Sequence, residues 1–265
     1  MPYVINKVDG VRIYFEDGGG DGPPVLAYTG FGDPLEDAKD NPLVLALAPD
    51  HHLYFADHRG QGRSDKPHDT AAYALRTRVG DTVALLDHLG LDRVHLLGFS
   101  WGARLGFAMG EHASRRVTSL ALCGNQPYAW DPSWPAVPLL TSALDAAQTG
   151  GMQAFVDALE SAFGDELSPL ARERVLANDP RALRAALRSA MVEGDISADL
   201  TAWRVPCLIY LATDDDMYAN AERAATEIPT ARFLALEGHS HLSAPFEVDQ
   251  VLPAVRALIA GAERG

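Results

Sequence analysis

Short apolar or β-branched runs recur along this chain, at 3–8, 11–16, 24–29, 52–57, 93–98, 117–123, 206–212 and 231–236. The later ones alternate with segments of helical periodicity, at 35–47, 71–89, 101–112, 217–227 and 247–260. Segment 71–89 shows the pattern well: Leu75, Val79, Val83, Leu86 and Leu89 fall near the 3.6-residue period. Alternation of this kind leaves few architectures. It predicts a mostly parallel sheet with helices on both faces. The first two runs meet around Asp9-Gly10, a turn signal, and read as a hairpin.

The alternation breaks between about 125 and 202. The stretch QPYAWDPSWPAVP is rich in proline and aromatics, hence loop. Helix-like stretches follow near 138–148, 152–163, 168–177 and 180–192, interrupted at Gly150-Gly151, Gly164 and Pro180. No strand signal occurs there, and alternation resumes at Pro206. A helical insertion within a strand–helix core reads as a lid or cap.

The 265 residues suit one large α/β domain or two small ones. With 22 Lys+Arg against 36 Asp+Glu, the net charge of −14 argues against a nucleic-acid partner, which needs a basic footprint, and against docking on anionic lipid. The first residues carry no basic stretch leading into an apolar one, and no apolar run approaches the length of a membrane span. Cys123 and Cys207 lie in apolar strand-like runs and read as buried free thiols. These features predict a cytoplasmic protein.

The chemistry is signalled by Gly98-Phe99-Ser100-Trp101-Gly102, a G-x-S-x-G. The motif alone recurs by chance. Here a strand at Val94–Leu97 runs straight into it and a helix rich in small residues leaves it, the setting in which such a serine is exposed on a sharp turn above a sheet. The two glycines leave room for the close approach this turn requires.

With this elbow, the chain resembles the α/β-hydrolase superfamily over essentially its whole length. The resemblance implies a mostly parallel eight-stranded sheet flanked by helices, with a helical cap after the sixth strand. The core is then 1–125 and 201–265 and the cap 126–200. It also implies the order serine, acid, histidine along the chain.

After the strand CLIYLA come Asp214, Asp215 and Asp216. The family usually shows Gly-x-x-Asp here, and counting from Ala212 at the glycine position selects Asp215, with its two neighbours as alternatives. The base is expected in the loop after strand ARFLALEG, usually as Gly-His, which selects Gly238-His239. His241 in the same loop is the alternative. Backbone N–H donors for an oxyanion are expected at Trp101, after the nucleophile, and at Phe31, after the third strand. The family usually has His-Gly before that second donor, whereas this chain has Thr29-Gly30.

The loop Asp57-His58-Arg59-Gly60-Gln61-Gly62-Arg63-Ser64-Asp65 is similar to the family's Asp-x-Arg-Gly-x-Gly-x-Ser and reads as structural. Arg181, Arg184 and Arg188 recur on one helical face, which reads as solvated.

Tyr128, Trp130, Trp134 and Phe155 are candidate pocket residues in the cap, with Phe31 and Trp101 below them. Together these features predict a cofactor-independent serine hydrolase of a small-molecule carboxylic ester or lactone with an apolar acyl part. No metal or dinucleotide signature competes, and serine at the elbow disfavours haloalkane and epoxide hydrolysis, for which relatives use aspartate. Two readings on the same triad stand beside it: carbon–carbon bond hydrolysis and prolyl-iminopeptidase-like amide cleavage. The latter would draw on cap carboxylates such as Asp157, Glu160, Asp165 and Glu166. A non-catalytic ligand receptor is the reading from another class.

Overall fold

The computed structural model describes residues 2–163 and 166–264. Among them are the strands β1 (Tyr3–Ile5), β2 (Arg12–Gly19), β3 (Pro24–Tyr28), β4 (His52–Ala56), β5 (Val94–Phe99), β6 (Val117–Cys123), β7 (Cys207–Ala212) and β8 (Ala231–Leu236). They form one eight-stranded sheet in the order β1-β2-β4-β3-β5-β6-β7-β8. The pairs β1/β2 and β2/β4 are antiparallel, and all the others are parallel.

The core helices are α1 (Leu35–Lys39), α2 (Pro42–Leu45), α3 (Leu75–Leu89), α4 (Trp101–His112), α8 (Tyr218–Glu227) and α9 (Val248–Ala262). Helices α3, α4 and α8 cover one face of the sheet, while α1, α2 and α9 cover the other. Strand side chains divide between the two faces with period 2. On β7, Cys207, Ile209 and Leu211 enter one core, and Leu208, Tyr210 and Ala212 the other. Burial on both faces is why these strands are near-continuous apolar runs. Cys123 and Cys207 are free thiols, both buried in this core.

The strand order positions the site. From β3 the chain passes to β4 on one side, then returns to β5 on the other. A crevice opens at the carboxyl ends of strands where the winding reverses. The register Tyr28↔Gly98 brings the loop after β3 level with the turn after β5.

Between β6 and β7 the chain forms α5 (Ala136–Phe163), α6 (Pro169–Leu176) and α7 (Pro180–Val192). Helix α5 is two helices joined at Gly151, where φ is 69° and ψ −176°, at the interruption expected from Gly150-Gly151. Helix α7 opens with Asp179 accepting from the N–H groups of Arg181 and Ala182, and with Pro180 in its first turn. Its buried face is Ala182, Leu183, Ala185, Ala186, Leu187 and Ala190. On the opposite side Arg181 and Arg188 are exposed and Arg184 pairs with Asp145 at 2.5 Å, so this basic stripe is a solvated face.

Both crossings into this insertion meet at Arg104 of α4. Its fully buried guanidinium donates to Gln126 O (3.0 Å) and Tyr128 O (2.7 Å) on the outgoing crossing, and to Gly194 O (3.3 Å) on the return. Glu193 lies 3.8 Å away. No described helix is long and apolar enough to cross a membrane.

Candidate active site

Strand β5 delivers Ser100 into a turn with φ 49° and ψ −105°, the only positive φ at a non-glycine position among the described residues. Such a conformation costs ~1–3 kcal/mol and persists only where its surroundings enforce it. The surroundings are tight. A Cβ at Gly98 would stand 2.4 Å from Gly102 O, and one at Gly102 would stand 2.7 Å from Tyr28 O. The Ser100 N–H is held by Cys123 O at 2.7 Å, and Asn125 Nδ2 donates to Ser100 O at 3.1 Å.

The hydroxyl of Ser100 lies 3.1 Å from Nε2 of His241, and Nδ1 of His241 lies 2.6 Å from Oδ2 of Asp215. A carboxylate only accepts, so Nδ1 carries the proton and Nε2 is left to accept from the serine. Asp215 is fixed in turn: its Oδ1 accepts from the Met217 N–H at 3.0 Å, and its side chain is almost fully buried. Asp214 and Asp216 are exposed. Of three consecutive acids, the strand end aims only the middle one inward.

The histidine expected from sequence is displaced by two residues. His239 lies outside the chain of bonds, its Nε2 3.1 Å from Glu247 and its Nδ1 3.4 Å from Ser243 Oγ. The physical reason is reach. From the end of β8 the base must cross β7 and β6 to meet the turn after β5, and neighbouring strands stand ~4.8 Å apart. His239, directly after Gly238, stays beside the start of α9, whereas His241 lies far enough along the loop to cross. It packs beside Gly124, where a Cβ would come within 3.0 Å of the ring, and against Phe99 at 5.4 Å between ring centroids.

The amide N–H groups of Phe31 and Trp101 donate to no acceptor among the described residues. Their rings meet edge-to-face at 5.3 Å. Thr29, which stands where the family usually has histidine, closes its own turn by donating from Oγ1 to Asp33 O at 2.8 Å. Thr29 O accepts from the Gly102 N–H at 3.0 Å and from Nε2 of His58 at 3.1 Å. Burial pushes the His58 imidazole down to about 3, so it is neutral and carries its proton on Nε2. Gln61 Oε1 accepts from the Gly32 N–H. The loop 57–65 therefore braces the backbone on both sides of Phe31, a role that the sequence motif did not disclose. Asp57 secures it by accepting from the N–H groups of Leu35 and Arg63, each at 2.7 Å.

Asp33 is a second carboxyl near the site. Burial, reinforced by Asp37, pushes it up to about 7, against the opposing pull of His241 and Arg174.

The four pocket candidates divide. Trp130 packs 6.0 Å from Trp101, and Phe155 is buried in the insertion's own cluster, against which Phe31 also packs. Tyr128 turns away: its hydroxyl donates to Glu227 at 2.9 Å and Arg223 covers its ring. Trp134 is half-buried in the turn that opens α5. Trp101 itself is 2% exposed, covered by α7 alanines and by the Arg78 guanidinium 4.0 Å above its ring. It forms a wall beneath the insertion. Among the carboxylates of the insertion, Glu160 is bonded to Arg172 at 2.7 Å, with Asp157 3.8 Å from the same guanidinium. Glu166 is exposed and Asp165 lies outside the described residues.

A hydroxyl bonded to an imidazole that is oriented by a buried carboxylate, beside two unengaged amide donors, is an arrangement suited to nucleophilic attack on a carbonyl. The fold of the enol-lactonase from Burkholderia xenovorans LB400 is similar, with a TM-score of 0.81 at 22% identity over 98% of this chain and 100% of that one. The chain is 30% identical over 247 residues to the "Putative carbamate hydrolase RutD" of Variovorax paradoxus (strain S110), covering 86% of this chain and 89% of that protein. It is 26% identical over 166 residues to epoxide hydrolase 3 of Siraitia grosvenorii, and there spans only 46% of the relative's length. The model of the alpha/beta hydrolase fold matches residues 23–166, and with that match the chain belongs to the α/β-hydrolase family.

Proposed function

We propose that this protein is a serine hydrolase of carboxylic esters or lactones with an apolar acyl part, working through an acyl-enzyme on Ser100. The observation that carries the reading is the continuous chain Asp215–His241–Ser100. The Ser100 oxygen attacks the carbonyl carbon as His241 Nε2 takes the hydroxyl proton. The N–H groups of Phe31 and Trp101 receive the charge that develops on the carbonyl oxygen. His241 then protonates the departing alkoxide, which in a lactone remains tethered to the acyl group. Water enters, His241 removes its proton, and attack on the acyl carbon frees the carboxylic acid and Ser100.

The helices between β6 and β7 act as a cap. The aromatic group Phe31, Trp101 and Trp130, with the alanine face of α7, supports an apolar acyl part. The ion pair of Glu160 with Arg172 speaks against a cap site for a substrate amine.

The test combines fluorophosphonate labelling with a panel of acyl esters, lactones and peptide amides. The reading requires labelling at Ser100, loss of turnover in Ser100→Ala, and esters or lactones ahead of amides. Labelling elsewhere, or turnover retained by Ser100→Ala, defeats it.

A further inference from the structure

We infer that Asn178 is a positioning residue through which the cap holds the oxyanion loop in its working geometry. This rests on the acyl-transfer reading above. Asn178 is buried, in the turn between α6 and α7, and therefore belongs to the cap. Its Nδ2 donates to Gly32 O of the core at 2.7 Å and also faces Arg174 O and Val175 O, at 3.3 and 3.2 Å, on the last turn of α6. One amide thus bridges the end of a cap helix and the residue next to Phe31.

The arrangement around Gly32 is two-sided. Its N–H goes to Gln61 of the core and its C=O to Asn178 of the cap. Gly32 has φ +85°, a conformation that only glycine adopts freely, and glycine brings no side chain to anchor itself. Restraint must come from outside, and these two side chains supply it. The neighbouring Phe31 has a second tie to the cap, because its ring packs on both apolar clusters that α7 helps to build. The same end of α6 is seated on the core by Arg174, which pairs with Asp37 and Asp40 of the α1 region.

The consequence concerns timing. An oxyanion donor works because it is already in place when charge develops. If the cap lifts, Gly32 O loses its donor and the ring of Phe31 loses its support. The amide of Phe31 is then no longer preorganised. Efficient acyl transfer is thereby confined to the seated cap.

Three forms test this: wild type, Asn178→Ala and Asn178→Asp. Each is first titrated with a fluorophosphonate to count reactive Ser100. It is then assayed on a short-chain p-nitrophenyl ester and with a boronic acid that forms a tetrahedral adduct. Asn178→Asp keeps the shape of the side chain but replaces the donor with an acceptor facing three carbonyl oxygens. The expected result is a fall in kcat of about tenfold or more in both variants, with Asp at least as impaired as Ala, KM within about threefold, and boronate affinity falling in step with kcat/KM. Thermal unfolding confirms that both are folded, and the near-isosteric Asp variant keeps the test open if Ala is not. If Asn178→Asp retains kcat within about twofold of wild type, or if only Ala is impaired, the side chain merely fills space and the inference falls. If wild-type Ser100 is not labelled, the acyl-transfer reading itself falls and takes this one with it.

Discussion

His241 and His239 share one loop but take different partners: the first lies 2.6 Å from Asp215, while the second lies 3.1 Å from Glu247 at the start of α9. His241→Ala should therefore lower kcat on an activated ester by about 10³-fold or more, whereas His239→Ala should stay within about threefold of wild type. Steady-state kinetics on one ester decide it. An inactive His239→Ala with an active His241→Ala would reverse the assignment.

The backbone strain at Ser100 has a thermal signature. Glycine tolerates φ 49° without a Cβ clash, although its unfolded state is freer by ~0.5–1 kcal/mol than that of alanine. Relief at the middle of the ~1–3 kcal/mol range exceeds this by ~1 kcal/mol, so Ser100→Gly should melt about 2 °C or more above Ser100→Ala. Equal or inverted melting temperatures would show that the turn is not strained.

Asp215→Asn preserves shape but lets the side-chain amide donate where the imidazole needs an acceptor. The expected loss is on the order of 10³-fold or more in kcat, with roughly tenfold or less for Asp214→Asn and Asp216→Asn. All three substitutions change the formal charge equally, so a general electrostatic effect cannot reproduce the contrast. The comparison is made at pH 8, on one ester.

Asp33 links stability to pH. In the unfolded chain its carboxyl ionises near 3.8, whereas burial holds it protonated in the fold up to about 7. Between those values the native state binds the extra proton, so rising pH removes stability, and above about 7 the loss is complete. Asparagine cannot ionise and escapes that loss. The Tm gain of Asp33→Asn over wild type should therefore be larger at pH 8 than at pH 5.5, measured in the same salt. A gain that does not vary with pH would show that Asp33 ionises in the fold as it does in the unfolded chain.

The strands β3 to β7 were legible in the sequence because a doubly covered sheet leaves a strong mark, an apolar run between turn signals, whereas β1 and β2 were read from the hairpin turn at Asp9-Gly10. The serine was legible for a related reason: its turn demands glycines at fixed offsets. Asp215 could be counted because it lies three residues past a strand end. The histidine could not be counted in the same way. Its position depends on how far a loop must travel across β7 and β6, a distance set by the sheet and absent from the local pattern Gly238-His239. Tyr128 failed as a pocket residue for a similar reason. Its aromatic ring suits either environment, and only the proximity of Glu227 and Arg223, about a hundred residues away, decides which it joins. The bracing of Phe31 by His58, Gln61 and Asn178 likewise lies in long-range geometry.

The two crossings of the insertion are gathered on Arg104, and Ile196 N–H donates to Pro127 O at 2.7 Å beside it. The excursion thus leaves and rejoins the sheet at nearly the same point. Lengthening a chain segment whose ends are already fixed together costs little, ~0.6 kcal/mol for each doubling. The insertion is in this sense a modular attachment, exchangeable for a longer or shorter one without re-registering the sheet. What a graft must bring is three backbone carbonyls for the guanidinium, two on the way out and one on the return, and its own donor for Gly32.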